Sequence, residues 1–199
     1  MKRLLRMRSD LTVYSWNVCS LVENSGDILI CRKQCLNSNQ SCDLVDRKLD
    51  LLVGELQRYN VSVGGIQETK WFGADVWPAA NGYTLLHSGR PVPSSDDAVT
   101  RREGVGLVLD VRATAAWRMA GEAWKPVSSR VIMARLKWFH RLRRRSTVCF
   151  ATIVCAYAPT AKAPPAVRLQ FLEQLQDALD DIPKGDTLVM LGARVGTYV

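Results

Sequence analysis

Three features of these 199 residues predict an α+β chain with layered sheets. A strand, helix, strand unit fills residues 11 to 67. A series of strand candidates then follows, with no helix of comparable length among them before residue 164. The most apolar run, Val148 to Ala158, is broken by Thr152 and Tyr157 and rich in β-branched residues, so it reads as a buried strand. That run falls well short of the roughly 20 residues needed to span a bilayer. The length suits one domain. Hydrophobic residues at 47% and charged residues at 23% exclude a wholly disordered chain, a collagen and a membrane-embedded protein.

Each element has its own reason. The start, MKRLLRMRSD, is read as a basic tail over residues 1–10; it lacks the apolar stretch of a secretory signal, so a nuclear or cytoplasmic, not secreted, protein is expected. Leu11 to Asn17 holds good strand formers. Residues 18–42 are polar, with Asn, Gln, Ser and Cys clusters and Gly26, and read as a Cys-containing insertion. Asp43 to Tyr59 is an amphipathic helix: Val45, Leu49, Leu52, Val53 and Leu56 recur at helical spacing, and Asp43 and Asp46 suit its positive start. Val61 to Gln67 is a buried-type strand. Further strands are expected over Tyr83 to His87, Gly104 to Asp110, Arg118 to Trp124, Arg130 to Trp138 and Thr147 to Tyr157. Residues 91–97, Lys125-Pro126 and a basic hairpin supply the turns between them. A second helix starts after Pro164-Pro165 and stops at Pro183, with Phe171, Leu175, Ala178 and Ile182 on one face; Thr187 to Leu191 is the last strand.

The net charge of +8 is unevenly distributed. Arg135, Lys137, Arg141, Arg143, Arg144 and Arg145 fall within eleven residues that contain no acid, and the other 21 basic residues exceed the 19 acidic ones by only two. A solvated hairpin tip and a phosphate-docking surface both fit such a local field. Cys149 and Cys155 share one strand face and read as buried thiols. Cys31, Cys35 and Cys42 do not have zinc-site spacing, and neither His87 nor His140 is near them in sequence.

Several polar residues stand where a buried strand runs out into a loop: Asn17 after the first strand, Glu68 and Lys70 after the second, Tyr157 after the long apolar one, and Arg130 opening a strand behind Ser128-Ser129. Singly, each has a structural explanation, as a strand-end hydrogen bond, half-buried packing or a surface cation. Together, an amide, a carboxylate, a phenol and cations on one rim suit a hard divalent ion and a phosphate.

In order, YSWNV, GIQETKW, REGVGLVL, SSRVIMARL, CAYAPT and LVMLG resemble the endonuclease/exonuclease/phosphatase superfamily, and within it the craniofacial development protein 2-like sequences and the apurinic-type endonuclease domains of non-LTR retrotransposons. The likeness runs from about Leu11 to Thr197. It implies a four-layer α/β/β/α sandwich that hydrolyses phosphodiesters with Mg2+ or Mn2+, acting on nucleic acid, DNA in preference to RNA, and not on membranes. Carried over, Glu68 and Asn17 are metal-binding and catalytic, Tyr157 is catalytic through a hydrogen bond to the phosphate, and Lys70 and Arg130 are phosphate-binding. Arg141, Arg143, Arg144 and Arg145 are the expected nucleic-acid contacts.

The departures matter as much. The superfamily's Gly-Asp-Phe-Asn segment is missing: Leu191-Gly192 runs directly into Ala193-Arg194-Val195-Gly196, without the Asp that orients water or the Asn that binds phosphate. Asp186 lies at the opposite end of that strand, roughly 20 Å away. The chain stops at Val199 before a closing Asp-His pair. Losing one acid–base group costs about 100- to 10,000-fold. The expectation is therefore an incomplete fold, its second half largely missing, with inward strand faces around residues 130–138 and 147–157 partly uncovered, and an inactive, truncated phosphodiesterase of retroelement origin. The alternative is a catalytically dead nucleic-acid-binding module that uses the basic hairpin 135–145.

Overall fold

The computed structural model describes residues 12–18, 43–91, 103–142 and 145–193. The basic tail and the Cys-containing insertion, Cys31, Cys35 and Cys42 included, lie outside the described residues, as do Arg143 and Arg144.

The architecture is mixed α/β with two sheets. In the first, β1 (Val13–Asn17) runs parallel to β2 (Val63–Gln67), and the connection between them carries helix α1 (Asp43–Arg58). Leu49, Leu52, Val53 and Leu56 are buried, as their helical spacing requires, and Asn60 ends the helix in a left-handed conformation at φ 50°. The sheet continues through antiparallel pairs to β5 (Val105–Leu109), β4 (Thr84–Ser88) and the edge strand β3 (Ala74–Pro78). In the second sheet, β6 (Trp124–Ser128), β7 (Val131–Leu142) and β8 (Arg145–Tyr157) are antiparallel neighbours. Helix α3 (Pro165–Asp180) then returns the chain to β9 (Thr187–Ala193), parallel to β8.

The main core lies between the sheets, where Val63, Leu107 and Leu109 meet Ile132, Leu136 and Ile153. Helix α1 packs on one outer face, over Ile66, Leu85 and Val108. Helix α3 packs on the other, with Phe171 and Ala178 over Val131, Val154 and Ala156. Strand β2 lies within reach of both neighbours through its glycines. A Cβ on Gly64 would meet Leu56 at 3.1 Å, and one on Gly65 would meet Leu191 at 2.8 Å.

Four sequence expectations are corrected. Residues 118–124 do not form a strand; Val111–Met119 is a helix, α2, capped by Asp110 accepting from the Ala113 N–H at 2.6 Å, a bond worth about 1 kcal/mol. Ala113, Ala116 and Trp117 on α2 close the end of the inter-sheet core away from the strand ends that carry Glu68. Lys125-Pro126 is not a turn but part of β6, an edge strand with an irregular register, where a proline is tolerated. Cys149 is only half-buried, because β7 and β8 extend outward past the sandwich as a long ribbon; Cys155 is fully buried. The inward faces of β7 and β8 are covered, with Ile132, Leu136, Ala151 and Ile153 buried. Exposed apolar residues sit instead at Phe139 and Val148 on the ribbon and at Leu188 and Met190 on β9.

Candidate functional site

The strand directions decide what meets. Parallel pairing sets Asn17 beside Gln67, and antiparallel pairing sets Gln67 opposite Val105, so the ends of β1 and β2 and the start of β5 share one rim. In the second sheet, Val131 faces Ala156, which brings Arg130 and Tyr157 to the same rim.

There the Glu68 carboxylate joins both sheets. One oxygen, Oε1, accepts from Asn17 Nδ2 at 2.7 Å and from the Tyr157 hydroxyl at 2.7 Å. Burial pushes the Tyr157 hydroxyl up to about 12, and the adjacent Glu68 adds to the shift. At neutral pH it therefore keeps its proton and acts as a donor. Arg130 lies against the same phenol, its guanidinium carbon 5.3 Å from the ring centre, and donates from Nη1 to the Tyr157 carbonyl at 3.2 Å. The four residues that the sequence grouped are thus within direct contact. Lys70 lies two residues past Glu68, its backbone N–H bonded to the Glu103 carbonyl at 3.0 Å, and its ammonium makes no bond to the cluster among the described residues.

The loop that carries Glu68 is strained. Glu68 and Lys70 both adopt left-handed φ, 59° and 60°, on either side of the buried Thr69. For non-glycine residues this costs about 1–2 kcal/mol each, so the surroundings must impose it. They do: Thr69 N–H donates to the Gly104 carbonyl at 3.2 Å, and Gly104 N–H donates to the Ser129 carbonyl at 3.1 Å. Gly104 is itself at φ 130°, and a Cβ there would lie 2.2 Å from Thr69 Oγ1, so only glycine fits.

Sequence reasoning missed Glu103, although it falls within the REGVGLVL motif. Its Oε1 accepts from Arg90 Nη2 and from Arg130 Nη2, both at 2.7 Å; its Oε2 accepts from Arg90 Nε at 3.1 Å and Ser129 Oγ at 2.6 Å. Burial pulls this carboxyl upward. The hydrogen bonds from Arg90 and Ser129 and the charges of Arg130 and Arg90 outweigh it and hold the group at about 2. With four acceptor directions filled, Glu103 has none left for a metal ion. Spacing could not have found it, because its partners, Arg90 on one side and Ser129-Arg130 on the other, come from two segments distant in sequence.

The implied Mg2+ or Mn2+ can be tested against these donors. No group of three or more His, Cys, Asp or Glu side chains converges among the described residues. Glu68 and Asn17 offer one carboxylate and one amide oxygen. This is a sparse set, yet one that fits magnesium, which often takes one or two carboxylates and fills the rest with water and substrate oxygens.

The remaining predicted residues lie elsewhere. Arg141 and Arg145 belong to the far end of the ribbon, where Arg141 faces Ser146 and Leu142 faces Arg145. Leu142 lies eleven residue steps along β7 from Val131, roughly 35 Å at the usual rise, so the hairpin is not part of the rim. At the root of the ribbon, Arg135 is held by Asp186, which accepts from Nε at 2.7 Å and Nη2 at 2.8 Å and also from Thr152 at 2.8 Å. Asp186 precedes β9 at the end opposite the rim, as expected from the sequence. His87 is buried, its ring 4.2 Å from that of Trp77 and 5.4 Å from that of Trp71. Among the described residues no helix is long and apolar enough to cross a membrane.

The chain is distantly similar to known proteins over most of its own length. It is 29% identical over 191 residues to craniofacial development protein 2 of Bos taurus, covering 92% of this chain and 28% of that protein. It is 26% identical over 191 residues to craniofacial development protein 2 of Tragulus javanicus, covering 92% and 29%. The chain thus spans less than a third of the length of these relatives. No family model matches it.

Proposed function

From distant homology to craniofacial development protein 2, a member of the endonuclease/exonuclease/phosphatase superfamily, we propose that the chain is a phosphodiester-binding domain of that nuclease lineage, of retroelement origin, which engages DNA and does not cleave it. On this reading the two sheets and their outer helices α1 and α3 are the superfamily's four-layer sandwich. The observation that carries the proposal is the Glu68 carboxylate bridged at 2.7 Å by Asn17 and Tyr157, with Arg130 against the same phenol. These groups come from both sheets and four chain segments, and a folding role alone does not require Asn17 and Tyr157 to meet on one Glu68 oxygen with Arg130 against the phenol.

Each residue has a part. Arg130 and Lys70 attract and hold the phosphate. Tyr157, protonated because its hydroxyl stands at about 12, would turn its single O–H from Glu68 to donate to a phosphate oxygen. Asn17 and Glu68 would hold Mg2+ or Mn2+, which when bound supplies positive charge to phosphate oxygens. Cleavage needs a further group that orients or deprotonates water. Among the described residues the rim offers none: Tyr157 keeps its proton, Glu103 is saturated by two guanidiniums and a hydroxyl, and β9 ends at the rim as Leu191-Gly192-Ala193 without a carboxylate. Binding without turnover follows.

Two assays on the protein test this: anisotropy of a labelled duplex, and nicking of supercoiled plasmid with Mg2+. The expected outcome is binding weakened by Arg130→Gln, with no nicking above background. Magnesium-dependent nicking that disappears in Glu68→Ala would overturn the inactive assignment. Binding abolished by neutralising the ribbon arginines but unchanged by Arg130→Gln would move the contact to the hairpin.

A further inference from the structure

We infer that Arg90, held beside Arg130 by Glu103, is a second phosphate-contacting residue, so that the rim takes a nucleic-acid strand at two phosphodiesters and not a single phosphate ester. This rests on the phosphate-binding reading of the rim.

Arg90 stands just past β4, fixed by a bridge between its backbone and that of Phe72. Its Nη2 and the Nη2 of Arg130 donate to the same Glu103 oxygen, each at 2.7 Å, so the two guanidiniums lie within twice that distance of each other. Like charges so close need a reason. A structural carboxylate is satisfied by one arginine and a hydroxyl, whereas Glu103 takes the Ser129 hydroxyl and two arginines. The second arginine leaves the trio at +1, and it is the outer one: the Arg90 side chain is 40% exposed against 17% for Arg130.

Donor inventory gives the same answer. A guanidinium has five N–H bonds on three nitrogens. Arg90 uses Nε and Nη2 on the two carboxylate oxygens, which leaves Nη1 directed away from Glu103. Arg130 uses Nη2 on Glu103 and Nη1 on the Tyr157 carbonyl, which leaves Nε. Glu103 is therefore a positioning residue that holds two forks side by side with donors to spare. Two neighbouring cationic forks match the repeated monoanions of a phosphodiester backbone, and phosphate contacts of this kind set register on a strand.

The test is the salt dependence of duplex binding. A 20-base-pair labelled oligonucleotide is titrated in magnesium-free buffer from 50 to 200 mM salt with the parent protein and with Arg90→Gln, Arg90→Lys, Arg130→Gln and Arg118→Gln. Removing one cation from a phosphate lowers the slope of log K against log salt by about 0.9, roughly 3.5-fold in Kd across that fourfold range. The slope is expected to fall by that amount in Arg90→Gln and in Arg130→Gln. It is expected to hold in Arg118→Gln, at the far end of the molecule, and in Arg90→Lys, which keeps the charge. A lowered slope in Arg130→Gln with none in Arg90→Gln would overturn the second contact and leave the parent reading standing. A slope lowered equally by Arg90→Lys and Arg90→Gln would mark a structural role and also overturn it. No change in either glutamine variant, or no binding by the parent protein, would reject the phosphate-binding rim itself.

Discussion

Replacing Glu103 by glutamine removes the one negative charge between Arg90 and Arg130. The cost follows from the carboxyl's position. It is held at about 2 against an ordinary 4.5, a difference worth about 3 kcal/mol of folding free energy. The Glu103 side chain is 10% exposed, so water screens it little, but Arg90 is 40% exposed and the expectation comes down to about 2–3 kcal/mol. Because the folded carboxyl is held below its unfolded value, the contribution is complete above about pH 5. It is lost as acidity carries the group from 4.5 toward 2, and under half of it, roughly 1 kcal/mol, survives at pH 3. Urea unfolding of the parent and Glu103→Gln at pH 7, 5, 4 and 3 reads this directly. Comparing the two proteins cancels Asp186, whose carboxyl is also held low by its Arg135 hydrogen bonds. The expected gap is about 2–3 kcal/mol at pH 7 and narrows steadily below pH 5. A gap that stays constant from pH 7 to 3 would show that the glutamine disturbs packing and not charge, and would refute the account of the cluster.

Two further outcomes follow from the geometry. Gly104→Ala places a Cβ 2.2 Å from Thr69 Oγ1 at φ 130° and should cost about 2 kcal/mol, or roughly 4–8 °C in Tm, whereas Gly54→Ala, in the middle of α1 with nothing within 4 Å, should be neutral or stabilising; equal effects of the two on a thermal melt would contradict this. Burial pushes the Cys155 thiol up to about 12, against the Gln67 hydrogen bond at 3.1 Å, so iodoacetamide at pH 8 should leave Cys155 unmodified in the native protein and alkylate it after denaturation, as peptide mapping would reveal, while the half-buried Cys149 reacts in the native state.

The parts of the fold that could be read from the sequence are those whose periodicity is unmixed. Helix α1 shows its buried face at Leu49, Leu52, Val53 and Leu56, β2 is buried throughout, and β8 carries a largely apolar stretch from Val148 to Ala156. Helix α2 was hidden because it is nine residues long and buries alanines and a threonine beside one tryptophan, a pattern that alternation imitates. Strand β3 contains Ala74, Asp75 and Pro78, poor strand formers. It exists because β4 offers a partner edge and because Trp77 is buried against Trp71 and His87. The same division holds at the rim. Asn17, Glu68, Arg130 and Tyr157 are visible because strand ends in a layered fold project toward a common edge. Arg90 and Glu103 are not, because their meaning lies in a convergence on one carboxylate that neither spacing nor charge density encodes.

The charge map therefore differs from what composition suggests. Of the six basic residues between 135 and 145, Arg135 is neutralised by Asp186, whose side chain is 3% exposed, and its guanidinium lies 4.0 Å from the Phe150 ring centre. The root of the ribbon is thus a closed electrostatic unit, and any free positive field there begins farther out. At the opposite end, Glu68 and Glu103 offset two of the three cations Lys70, Arg90 and Arg130, but both carboxylates also serve as hydrogen-bond hubs that fix donors in place. A small net charge on fixed donors recognises phosphate through geometry, whereas a large charge on a ribbon attracts any polyanion. The two surfaces stand roughly 35 Å apart along β7, close to one turn of duplex DNA. A single straight duplex can touch both only if its axis runs along the ribbon, and a perpendicular duplex must choose. The rim, where strained backbone and saturated hydrogen bonds hold Asn17 and Tyr157 on one Glu68 oxygen and two guanidiniums on one Glu103 oxygen, is the surface built to position a phosphate.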